Sequence, residues 1–164
     1  MKNTGKSKSF KQARLMLWIV AVGLFLSGIT IWPAAAELNI LLNSIWGNAP
    51  VTGGLHGFLV QARDGIIATA GQYPFLLYTG DWLAFAHIVL AILFVGAARD
   101  PVRNKWIVQF GLICCALVPV LAAVCIPMRG IPWFWFWIDF AFAPLAAAPL
   151  WIALRGIRRI ESAQ

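Results

Sequence analysis

The chain has 164 residues, 61% of them hydrophobic and only 12% charged, where soluble domains carry roughly 45–50% and about 25%. That balance excludes an ordinary water-soluble domain and makes the bilayer the expected solvent. A net charge of +7 points to nucleic acid only when it collects on one solvated face; here it is segregated by loop, as a positive-inside bias requires, so no nucleic-acid partner is expected.

Residues 1–14 carry Lys2, Lys6, Lys8, Lys11 and Arg14 before the first apolar run, which reads as a basic, partly disordered cytoplasmic tail. Leu15 to Trp32 then offers about 18 uncharged residues, enough to cross a bilayer core. Ala34-Ala35-Ala36 follows this run and resembles a signal-peptidase site, but the run exceeds the usual apolar core of about 7–15 residues, favouring an uncleaved anchor.

Residues 33–81 form the long outer loop. Leu38, Leu41, Leu42, Ile45 and Trp46 recur at helical spacing, as do Leu55, Phe58, Leu59, Ala62 and Ile66; each set predicts an amphipathic helix lying at the interface or capping the spans. Gly47-Asn48-Ala49-Pro50 and Gly53-Gly54 separate them with turn residues. Gly71 to Gly80, with Tyr73-Pro74-Phe75, reads as an aromatic turn.

Span two is expected over 82–98, with Asp81 as its N-cap, and span three over 104–126. Asp100-Pro101 has the form of a helix start, which places the beginning of the third helix near Pro101. Pro119 interrupts this span and should kink it. A turn containing Arg129 and Gly130 is too short for anything but an antiparallel hairpin. Span four follows over 133–154, entered through Trp133-Phe134-Trp135-Phe136-Trp137 and lined by Ala143, Ala146, Ala147 and Ala148, an aromatic anchor and a small-residue contact surface. Residues 155–164 are a second basic tail. The fold class is therefore all-α: a single four-span bundle over 15–154, with one or two interfacial helices between spans one and two.

Orientation follows from Lys and Arg. Both tails and the Arg99–Lys105 connection hold eleven; the other two connections hold only Arg63 and Arg129. This bias places both termini in the cytoplasm of a multi-pass protein, for a bacterial source in the inner membrane.

Apart from Cys114, Cys115 and Cys125, the ionisable residues inside the spans are His87 and Asp139. The cysteines lack the paired spacing of a zinc or c-type haem site and read as small buried hydrophobes. His87 lies about 8 Å into span two and Asp139 about 9 Å into span four, at ~1.5 Å per residue from the same side. Groups at one depth on different helices are able to pair. Such a pair fixes helix rotation, or it lines an outer pocket for a substrate, a proton or a quinone-like headgroup. Asp81 and Arg129 fall at the rim of this candidate polar pocket, Asp81 read first as a cap and Arg129 as a lipid-headgroup contact or rim ion pair. His56, at the start of the second loop helix, reads as a solvated surface histidine.

No cofactor is expected. Haem would need axial ligation by both His87 and His56, one of them outside the spans. A metal site would have to draw His56, His87, Asp81 and Asp139 from distant segments. Phosphate loops, nucleophile elbows and zinc-protease motifs are missing from the sequence, and Ser27 and Thr30 read as helix-packing groups. The leading functional expectation is a non-catalytic accessory or assembly component, acting through helix packing and its capped outer face. Its partners would be the lipid bilayer and either another membrane protein or further copies of itself. The alternatives are a membrane enzyme or redox subunit using His87 and Asp139, and a small oligomeric transporter or channel.

Overall fold

A computed structural model describes residues 2–162, and every regular element in that range is helical. The helices are α1 (Lys2–Ile29), α2 (Ala34–Ile45), α3 (Leu55–Gln72), α4 (Tyr78–Arg99), α5 (Lys105–Met128) and α6 (Phe134–Glu161), with a single 3-10 turn at Pro74–Leu76. Four segments are long and apolar enough to cross a membrane: Ser7–Ile29, Pro74–Arg99, Lys105–Met128 and Phe134–Glu161.

The chain divides into two compact units, one made of the segment up to Gly23 together with Leu90 onward, the other of Leu24–Val89. In the first, α5 and α6 pack against one another as an antiparallel hairpin. Its turn is built by a left-handed glycine: Gly130 has φ of 64°, Gly130 N–H donates to Pro127 O, and Ile131 N–H reaches back to Ile126 O at 3.0 Å. That pair of bonds is the Schellman closure, which satisfies carbonyls that would otherwise be orphaned at the end of α5.

The core of this unit contains Leu17, Val108, Leu150 and Ile157. Close approach depends on missing side chains. A Cβ at Gly111 would stand 2.9 Å from both Leu150 Cδ1 and Phe94 Cζ, and one at Gly156 would stand 3.1 Å from Ser9 O. The basic segments meet at one end. Arg14 Nε donates to Ala98 O at 3.1 Å, placing a cation at the C-terminus of α4 where the exposed carbonyls favour it. Lys105 Nζ pairs with Glu161 Oε2 at 2.6 Å, joining the start of α5 to the end of α6.

Several helix boundaries differ from those expected. Helix α1 already includes Ser7–Arg14 and α6 runs on to Glu161, in segments read from the sequence as basic tails. The reason is packing: Ala13, Ile157 and Ile160 are buried, and Gly156 lets α1 lie against α6. Asp100-Pro101 does not begin α5. Asp100 Oδ1 instead accepts Arg103 N–H at 3.2 Å, Asn104 Nδ2 donates to Asp100 O at 2.9 Å, and Pro101 is buried. The aspartate stabilises an extra turn of chain, so the helix starts only at Lys105.

In the second unit, α2 and α3 pack together through Leu42 and Leu59, both buried. Of the two apolar stripes read from the sequence, these are the members that become buried; Leu41, Ile45 and Leu55 are exposed. Arg63 binds its neighbour Asp64 at 2.8 Å and reaches Asn39 Oδ1 on α2 at 3.5 Å. Gly28 allows α1 to approach α4 closely: a Cβ there would lie 2.9 Å from Ala84 O and 3.1 Å from His87 Cβ. Thr30 Oγ1 donates to Ser27 O, closing the end of its own helix.

Candidate functional site

Asp139 and Arg129 belong to the first unit; His56, Asp81 and His87 belong to the second. Asp139 opens into a groove of about 320 Å³ along the α5–α6 hairpin. One wall comes from α5, where Val118, Leu121, Ala122, Cys125 and Ile126 recur at the spacing that puts residues on one helical face. Trp135, Asp139 and Phe142 of α6 form the other wall, and Ile131 closes the turn end.

The register follows from the turn. Asp139 and Ala122 stand almost equally far from Gly130 along antiparallel helices, so the two lie at about the same level of the groove. Ala122 and Ile126 are buried as the floor, whereas Leu121 is 63% exposed and Phe142 62% exposed at the rims. The groove is thus open along its length and apolar throughout, with one carboxyl part-way down. Pro119 and Pro144 flank it; lacking N–H groups, they remove the helical bonds to Cys115 O and Phe140 O.

Within this unit, no hydrogen bond or ion pair among the described residues meets the Asp139 carboxyl. Arg129 is the C-cap of α5 and is exposed; its side chain makes no salt bridge to Asp139. Of the cysteines expected to be buried, all three are free and only half-buried, and Cys125 forms part of the groove wall.

In the second unit the three polar residues have separate partners. His56 is 6% exposed, which overturns its reading as a solvated surface histidine. Its ring lies on the Trp46 indole with centroids 4.6 Å apart and planes 3° from parallel, and Thr52 N–H donates to its Nδ1 at 3.4 Å. The start of a loop helix gave no sign of burial, which comes from an aromatic ring on the other side of the Gly-rich link. Asp81 is not an N-cap either. Helix α4 begins at Tyr78 and holds Asp81 in its first turn, where Oδ1 accepts Trp32 Nε1–H at 2.9 Å.

His87 Nδ1 lies 2.8 Å from Leu83 O. A carbonyl only accepts, so Nδ1 carries a proton, and in the neutral form of the ring the lone pair is at Nε2. Thr52 donates to Nδ1 of His56, so a neutral His56 has the opposite tautomer, with hydrogen on Nε2. This hydrogen bonding does not prepare the two histidines as a matched pair of Nε2 axial ligands, which is what haem would require. Among the described residues no three His, Cys, Asp or Glu side chains gather as metal ligands would.

Comparison with protein-family models, with curated proteins and with solved structures yields no match to this chain.

Proposed function

We propose that the chain is a four-span integral membrane protein that acts as a non-catalytic accessory or assembly component, packing its spans against another membrane protein. The observation that carries this reading is the open α5–α6 groove, apolar along both walls and occupied by no side chain of its own hairpin. Only 22–28% of each span's most apolar window is buried inside the chain, which leaves a wide apolar surface for lipid and protein neighbours. In this reading the spans form one bundle with both termini on the basic side, in a bacterial inner membrane the cytoplasmic side. The contacts of Arg14, Lys105 and Glu161 support it by gathering charged groups at one end of the first unit. Helices α2 and α3 then cap the opposite face, near the interface.

Photo-crosslinking in native membranes tests the proposal. A photoreactive residue at Leu121 or Phe142, on the groove rims, is expected to give one discrete adduct with a protein. At Ile92, exposed on α4, the same residue is expected to label lipid. Lipid adducts alone at all three positions would overturn the proposal.

A further inference from the structure

The feature that most needs an occupant is the Asp139 groove. Val118 and Ile126 mark its ends, about 12 Å apart at ~1.5 Å per residue, a length suited to two turns of a helix. Asp139 stands about 9 Å below the Trp133 end of α6 at the same rise per residue, deeper than the headgroup layer in which lipid amines reside. A carboxyl at that depth is costly in hydrocarbon unless it meets a cation or hydrogen-bond donors.

We infer that the groove docks a transmembrane helix of a partner protein bearing one basic side chain, Lys or Arg, which pairs with Asp139 opposite Ala122. Three observations select this occupant. The carboxyl supplies charge complementarity in a surface that is otherwise apolar. The small Ala122 floor leaves room for a helix backbone and the stem of a long side chain to come close. The exposed rims, Leu121 and Phe142, leave the groove open laterally; a small-molecule site encloses some 70–90% of its ligand, whereas a helix needs only one face covered. A second copy of this chain does not fit the same role, because its spans carry no Lys or Arg at this depth.

The inference rests on the membrane-accessory reading and narrows it to a partner of stated chemistry. The test uses the full chain purified in detergent, reconstituted in phosphatidylcholine vesicles, with fluorescent transmembrane peptides of Leu and Ala as probes. One peptide carries a single Lys about 9 Å from one end of its apolar core, at ~1.5 Å per residue; the other has Leu there. Energy transfer is expected to show the Lys peptide associating about tenfold more tightly than the Leu peptide. Asp139→Asn should erase that difference, and Asp139→Glu should restore part of it. Helical circular dichroism identifies any variant that has lost its fold, and the Glu variant then decides. Equal association of both peptides, or a Lys preference that survives Asp139→Asn, overturns the inference while the membrane reading stands. A chain that fails to integrate into the vesicles overturns both.

Discussion

The imidazole of His56 lies flat on the indole of Trp46, their centroids 4.6 Å apart, and this stack ties the start of α3 to the end of α2 across the Gly-rich link. Aromatic pairs contribute roughly 0.5–1.5 kcal/mol beyond their buried area, and Nδ1 additionally accepts the Thr52 amide. His56→Ala should therefore loosen the α2–α3 pair by about 1–3 kcal/mol. Limited proteolysis reads this directly: cleavage within residues 47–54 should quicken in His56→Ala and in Trp46→Ala, and less in Trp46→Phe, which keeps a ring. Unchanged cleavage in all three would mean that the stack does not hold the hairpin.

Trp32 and Asp81 form an exposed hydrogen bond of 2.9 Å within the second unit. Exposure limits its worth to about 0.5 kcal/mol, the lower end for an ordinary hydrogen bond and below what a buried bond to a carboxylate contributes. Trp32→Phe and Asp81→Asn should each lower detergent melting temperature slightly. The double variant should lose less than the sum of the two, because each single change already removes the same bond. Additive losses would show that the residues act independently.

Glycine positions offer a matched comparison. A Cβ at Gly156 would stand 3.1 Å from the Ser9 carbonyl, whereas at Gly23 nothing lies within 4 Å. Gly156→Val should push α1 from α6 and destabilise by about 1–3 kcal/mol, the usual cost of overpacking. Gly23→Ala should be neutral or stabilise by up to about 1 kcal/mol, since it meets open space and raises helix propensity. Thermal unfolding in one detergent orders the two, and a reversal would contradict the close α1–α6 contact.

The four long apolar helices were legible because hydrophobic length survives any packing arrangement, and the Gly130 turn was legible because six residues permit only a hairpin. What the sequence did not disclose depends on partners far along the chain. Gly28 looks like an ordinary span glycine and Gly156 like a glycine of the basic tail until Ala84 O and Ser9 O are seen beside them. His56 carries no local mark of burial, because Trp46 supplies it. Asp100-Pro101 misled because the same two residues open a turn as readily as a helix, and the side-chain bond to Arg103 N–H decides between them. Asp139 stood out in the sequence as a lone acid in an apolar segment; the groove around it required the register of two antiparallel helices.

The central claim, that four helices each cross the membrane, is tested most directly by the side on which each connection lies. Single cysteines replace Asn48, Asn104, Arg129 or Ser162 in a background lacking Cys114, Cys115 and Cys125, and intact cells are treated with a membrane-impermeant maleimide. Labelling of positions 48 and 129 from outside, with 104 and 162 reached only after permeabilisation, is the expected result. Labelling of 104 and 129 from the same side would show that α5 does not cross, and the four-span account would be wrong.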